Sequence, residues 1–304
     1  MLSFFFLLPF LTFQVLKAQN IELKGKNIKL YLDVGKTDNS FDTNMRLNSI
    51  GRCFRIGYWD IDRNGDGIPN LDSVRSFVIK NFSNRNDSSI CIIDWEGVAL
   101  NQLKEYSKNR DKYPYQIGRY ISVVEAIREV RPKLKIGIYN IPFRFWKPTS
   151  AFNYKYLYPL LMKCDLICPS PYSVYADTEV SSNRNKEYFE ANIQVALKIA
   201  KSLGKEVLPF VGIRYYSSPS IFYRKLVPLD EFKKDIEYIL NTSVDGKFVT
   251  GLILWNNDRG LYDRKNKDSF YPLLMGKNTF MEIHFSTIKS YASIIDSLRR
   301  NLGN

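Results

Sequence analysis

The chain has 304 residues, 45% hydrophobic, 25% charged and 14% aromatic, enough apolar material for a full core and free of collagen-like or low-complexity bias. Its one histidine, His284, excludes an HExxH helix and multi-histidine zinc or iron sites, and leaves a Ser–His–Asp triad a single position to be built on. Catalysis must therefore run on carboxylates, tyrosines or lysines, and the net charge of +13 favours anionic partners.

The first segment, residues 1–18, reads as a secretory signal peptide. It is apolar through Phe4–Leu8 and Phe10–Phe13, then meets Lys17-Ala18-Gln19 with a small residue before the expected cut. Its removal takes one basic residue, Lys17, so 43 basic residues face 31 acidic ones and the mature chain carries +12. No later segment approaches twenty apolar residues, so no stable membrane span is expected after processing. The expected location is secreted, either extracellular or periplasmic. For an exported basic protein an anionic polysaccharide is the natural partner.

Past residue 18, apolar β-type runs alternate with amphipathic stretches. The expected strands are Ile28–Val34, Phe54–Trp59, Ile90–Trp95, Lys135–Tyr139, Leu166–Cys168, Val207–Ile213 and Val249–Trp255. Between them, Tyr120, Val123, Val124, Ile127 and Val130 recur at helical spacing, as do Ile193, Leu197, Ala200 and Leu203, and Phe232, Ile236, Ile239 and Leu240. A last amphipathic helix is expected over Ile288–Leu302. Strands separated by helices imply βαβ units and a parallel sheet, and near-continuous apolar strands fit a sheet buried on both faces. The fold class is therefore α/β, a TIM-like (β/α) barrel, with residues 19–304 as a single domain. Four cysteines (Cys53, Cys91, Cys164, Cys168) permit three pairings in an oxidising compartment; their spacing is not that of a zinc site.

Barrel enzymes carry their working residues at the C-terminal ends of the strands. Polar and aromatic residues gather there in this chain: Tyr58-Trp59-Asp60, Asp94-Trp95-Glu96, Tyr139-Asn140, Pro169–Tyr172, Arg214-Tyr215-Tyr216 and Trp255–Asp258. Aromatic faces stack on sugar rings, and a few carboxylates suffice for glycoside chemistry. Alternate residues of a strand point the same way, so Asp94 and Glu96 share a face with Trp95 opposed, their Cα atoms roughly 6.6 Å apart. Two carboxyls so close repel, which raises one pKa and divides them into an acid and an ionised partner. Tyr139 and Tyr216 read as packing residues. Asp60–Gly67 also has the alternating oxygen ligands and sixth-position glycine of a calcium loop, though its twelfth position is Leu71.

Six stretches resemble, in the same order, the hyaluronidases of bee-venom and mammalian type, glycoside hydrolase family 56. Ile93-Asp94-Trp95-Glu96 resembles the family's catalytic strand. Arg63–Leu71 resembles its RNGG-[IV]-PQ-L segment with one extra residue. Arg131-Pro132 through Gly137-Ile138-Tyr139 and Pro142 resembles RP…GYY-x-FP, and Pro169–Tyr172 resembles PS-x-Y. Ala196–Ala200 followed by Val207-Leu208-Pro209 resembles EALRIA…VLP, and Gly251–Trp255 resembles G-[FV]-I-[IL]-W.

The resemblance implies a barrel that cleaves β-1,4 bonds at N-acetylhexosamine-type sugars in polymers such as hyaluronan or chondroitin, with no metal and no cofactor. Glu96 would be the acid/base, and the substrate's own acetamido oxygen would replace an enzyme nucleophile. Asp94 would orient that acetamido group, Tyr172 would hydrogen-bond to it and Trp255 would floor it, with Tyr58 and Tyr215 as further substrate contacts. The chain departs from the family at Gly97–Leu100, where a W-R-P run is usual, and at Trp255–Asp258, where W-G-S-S-D-D is usual. A non-catalytic glycan-binding barrel is the alternative. A nucleic-acid role is disfavoured by the signal segment and by the lack of any recognised motif.

Overall fold

The computed structural model describes residues 27–34, 39–147, 151–216, 220–258, 262 and 276–303. The signal segment lies outside the described residues. In chain order the elements are β1 (Lys29–Asp33), α1 (Asn39–Leu47), β2 (Ile50–Gly57), α2 (Tyr58–Ile61), α3 (Leu71–Asn81), β3 (Ile90–Asp94), α4 (Val98–Lys108), α5 (Tyr115–Val130) and β4 (Lys135–Tyr139). A 3-10 turn (Tyr154–Leu157) and α6 (Tyr158–Lys163) lead to β5 (Leu166–Cys168), α7 (Ser182–Leu203), β6 (Glu206–Val207), β7 (Phe210–Gly212), α8 (Leu229–Asn241), β8 (Gly251–Trp255) and α9 (Lys277–Gly303). No helix among the described residues is long and apolar enough to cross a membrane.

All eight strands join one parallel sheet in the order β6-β5-β4-β3-β2-β1-β8-β7. The two ends of that order, β6 and β7, are separated in the chain by only Leu208 and Pro209, so the eight parallel strands curl rather than lie flat. The segment 206–212 is bonded on both sides. Leu208 N donates to Ile167 O and Phe210 N to Pro169 O; Thr250 N donates to Val207 O and Ile253 N to Pro209 O. Pro209 has no N–H to give, which interrupts the stave that the sequence reads as one strand over Val207–Ile213.

Strand alternation sorts the side chains into two cores. Ile90 and Ile92 point to the inner face with Cys53, Leu166, Cys168, Phe210 and Ile253, while Cys91, Ile93 and Trp95 point outward to the helices. The inner face is tight: a Cβ on Gly137 would sit 2.6 Å from Cys168 Sγ. The helical stripes read from the sequence are the buried faces of α5, α7 and α8. Helix α7 starts on Ser181, whose side chain accepts from Arg184 N, and stops at Gly204 in the left-handed region. Helix α9 begins eleven residues before the expected Ile288. All four cysteines are buried free thiols.

The stretch Tyr58-Trp59-Asp60 is not a strand end. β2 stops at Gly57 and the chain turns into α2, because Asp62 gathers the backbone donors that follow it: Gly65 N and Asp66 N on Oδ1, Gly67 N on Oδ2. With Trp95 Nε1 also on Oδ2 at 3.2 Å, both oxygens of Asp62 are spent on the protein. The alternating-ligand arrangement of a calcium loop is therefore not formed, and no cluster of three or more metal-binding side chains occurs among the described residues.

Candidate active site

The register of the sheet brings one ring of inner-face residues to its C-terminal end. Asp33 pairs with Trp255, Trp255 with Gly212, Gly57 with Asp94, and Tyr139 with Cys168. Over this ring lies a cleft of about 190 Å³ lined by Arg55, Asp94, Glu96, Tyr139, Tyr216, Trp255 and Asn257. A second cavity of about 250 Å³ adjoins it and shares Tyr216, Trp255 and Asn257.

Asp94 is the last residue of β3 and is buried, whereas Glu96 is exposed at the cleft mouth. The turn between them is fixed from outside the sheet. The Trp95 ring packs on Tyr120 at 4.8 Å, its carbonyl accepts from Tyr120 Oη at 2.7 Å, and its indole N–H is held by Asp62. Gly97 follows with φ of 73°, a conformation that favours glycine, and lets the chain turn directly into α4. Fixing Trp95 outward leaves Asp94 and Glu96 both facing the cleft.

Arg55, on the neighbouring strand, clamps the buried acid. Its Nε donates to Asp33 Oδ2 at 2.7 Å and its Nη1 to Asp94 Oδ2 at 2.5 Å. Burial works against the guanidinium, but the two carboxylates more than offset it and raise its pKa above the ordinary value. Burial likewise raises Asp33, with Arg55 opposing. Burial pushes Asp94 up to about 7; Arg55 pulls it down, while the charge of Glu96, and then of Asp33, adds to the rise. Repulsion between Asp94 and Glu96, expected from their spacing, is thus a lesser cause than desolvation. The second oxygen, Asp94 Oδ1, is buried and accepts no hydrogen bond.

Tyr172 lies beneath the cleft rather than on its wall. It is buried, stacks on Trp255 at 5.3 Å and 19°, and meets Tyr216 at 5.0 Å. Gly212 makes room for it, since a Cβ there would come within 3.3 Å of the ring. The Tyr172 hydroxyl has no hydrogen bond in good geometry; Tyr139 is near enough to act on it electrostatically without being well aligned. Trp255 is on the wall as well as in the stack.

Two expected contacts are not brought to this cleft. Tyr215 borders only the second cavity, is 2% exposed, and turns its hydroxyl away to Glu231 Oε2 at 2.7 Å. Tyr58 sits on α2 at 40% exposure, tilted against Trp59 at 4.8 Å, outside the cleft lining. Tyr216 and Tyr139, read from the sequence as packing residues, line the cleft instead. The alternation rule could have found Arg55, two residues before Gly57 on the inner face; nothing in the spacing of Asn257 marks it out.

An eight-stranded parallel α/β sheet with a carboxylate–arginine ring at its C-terminal end defines a protein of the TIM-barrel-like class. Among solved structures, bee venom hyaluronidase is similar over 90% of this chain and 99% of its own, with a TM-score of 0.60 at 14% identity. The same enzyme in complex with a hyaluronic acid tetramer is similar over 80% of this chain and 97% of its own, with a TM-score of 0.56 at 14% identity. The fold is hyaluronidase-like. No protein-family model matches the sequence, and no curated protein sequence matches it.

Proposed function

We propose that this chain is a secreted glycoside hydrolase of the hyaluronidase family, with a closed barrel, that cleaves β-1,4 bonds of N-acetylhexosamine polysaccharides by a substrate-assisted, retaining route. The observation that carries the reading is the buried, unpartnered Asp94 Oδ1 in one cleft with an exposed Glu96. A buried carboxylate oxygen without a donor is costly unless a ligand supplies one. The N–H of a sugar acetamido group is such a donor.

In the first step the acetamido carbonyl oxygen attacks the anomeric carbon. The glycosidic C–O bond breaks, and the departing oxygen takes the Glu96 proton. Ionised Asp94 accepts the acetamido N–H and steadies the positive charge of the ring that forms. In the second step Glu96, now a carboxylate, removes a proton from water, whose oxygen opens that ring at the anomeric carbon. Two displacements at one carbon retain its configuration. Trp255, backed by Tyr172, would floor the acetamido methyl, and the Tyr139 or Tyr172 hydroxyl would bond its carbonyl oxygen. The +12 charge of the chain past residue 18 supports an anionic polymer as substrate.

The test is reducing-end release from hyaluronan, chondroitin and chitin oligomers by wild type and Glu96→Gln. Release by wild type alone is expected. Equal release by Glu96→Gln would overturn the assignment, and glycan binding without release by wild type would make the protein a lectin-like barrel.

A further inference from the structure

Beside the cleft, outside the residues that line it, lie two cations that the proposed chemistry does not use. Lys104 lies on α4, which leaves the sheet directly after Glu96, and its Nζ sits 5.7 Å from the Phe143 ring centroid. The next residue, Arg144, follows β4 and lays its guanidinium over Tyr216 at 4.2 Å and Tyr172 at 5.3 Å. Arg144 Nη1 donates to the Ser170 carbonyl at 2.9 Å, which leaves most of its five donors without a protein acceptor in the described residues. No carboxylate among the described residues pairs with either side chain. Both are partly buried, and partial burial of an unpaired cation costs free energy that an anionic ligand would recover. The two cations also act on each other: burial, then Arg144, holds the Lys104 ammonium below the ordinary lysine value, with Glu96 pulling the other way.

We infer that Lys104 and Arg144 form an anion subsite beside Glu96 that binds the acidic group, carboxylate or sulfate, of the sugar on the leaving-group side of the scissile bond. This rests on the hydrolase reading, because the acid that protonates the departing oxygen faces the departing sugar. In a polymer that alternates hexosamine with uronic acid, cleavage at the hexosaminide bond leaves a uronic acid there. Arg144 offers a planar fork for its two oxygens and Lys104 a mobile point charge. Tyr216, under the guanidinium and on the cleft wall, connects this subsite to the Asp94 pocket.

The experiment compares kcat/KM on hyaluronan oligomers, carboxyl-reduced hyaluronan oligomers, unsulfated and sulfated chondroitin oligomers, and chitin oligomers of equal length. Wild type, Lys104→Met and Arg144→Met are measured side by side. Wild type should prefer hyaluronan over its carboxyl-reduced form by about tenfold to a hundredfold. Lys104→Met, whose ammonium makes no hydrogen bond or ion pair with a cleft residue, should lose most of that preference, its rate on chitin or carboxyl-reduced polymer changing far less than its rate on hyaluronan. A preference that appears only with sulfated chondroitin would assign the subsite to sulfate. Equal wild-type rates on charged and neutral polymers, unchanged by Lys104→Met, would overturn the subsite and leave the hydrolase reading intact. No release from any polymer would remove both.

Discussion

Arg55 and Asp94 are joined across neighbouring strands by a 2.5 Å charge-assisted hydrogen bond, and Arg55 is itself anchored to Asp33 at 2.7 Å. The bond occupies Asp94 Oδ2 and leaves Oδ1 bare. One guanidinium thus fixes which oxygen of the buried acid can meet a ligand, and it restrains an ionisation that burial alone would push further up.

That restraint predicts a pH effect. If Asp94 must be ionised to hold the acetamido group, activity falls as pH drops through its pKa of about 7. Arg55 opposes the rise, so Arg55→Met should move the acid limb of the pH profile upward by about one pH unit or more. Arg55→Lys, which keeps the charge but not both bonds, should fall between. The profile of kcat/KM against pH checks it; an unmoved acid limb would show that Asp94 does not set it.

Glu96 makes no hydrogen bond or ion pair to any described residue and is exposed. Its replacement by Gln should therefore leave the thermal midpoint almost unchanged, within about 0.5 kcal/mol of stability. The hydrolytic rate should fall by at least about a hundredfold, the span general acid catalysis supplies. Melting curves and initial rates on one preparation of each protein test both halves together.

The architecture was legible because strand and helix periods differ, and each of the seven apolar runs overlaps a strand of the sheet, although Tyr58 and Trp59 fall in α2. Asp94 and Glu96 were legible as a pair from the two-residue strand period, although Glu96 lies past the end of β3 and owes its orientation to Trp95, Asp62 and Tyr120. What stayed hidden depends on contacts between segments distant in sequence. Asp62 draws backbone donors onto itself and ends β2 early, which takes Tyr58 away from the cleft. Pro209 splits one stave in two. Tyr215 and Tyr216 are adjacent and identical in type, and only the packing of Glu231 against one of them separates their roles.

Tyr172→Phe isolates one hydroxyl. The Tyr172 oxygen is buried without a well-formed hydrogen bond, so its removal forfeits no bond and relieves an unsatisfied group. Stability should stay level or rise, and the Trp255 stack should survive, since the ring remains. If the hydroxyl serves the acetamido carbonyl, kcat should drop about tenfold or more. A full-rate, unchanged-KM variant would limit Tyr172 to supporting Trp255.

The neighbouring tyrosines should respond in opposite ways. Tyr215→Phe cuts the 2.7 Å bond to Glu231, leaving the carboxylate one donor fewer, its remaining donor being Asp177 N. The cost should be about 1–3 kcal/mol of stability, with kcat/KM on short oligomers unchanged, because the hydroxyl points away from the Asp94 cleft. Tyr216→Ala strips a 38% exposed ring from the cleft wall and from beneath Arg144, so its cost should fall on substrate affinity, with KM rising several-fold and a smaller loss in melting temperature. Denaturant unfolding beside steady-state kinetics for both variants decides the matter. If Tyr215→Phe were the one to raise KM, the substrate groove would have to run through the second cavity and reach the Glu231 side of the sheet.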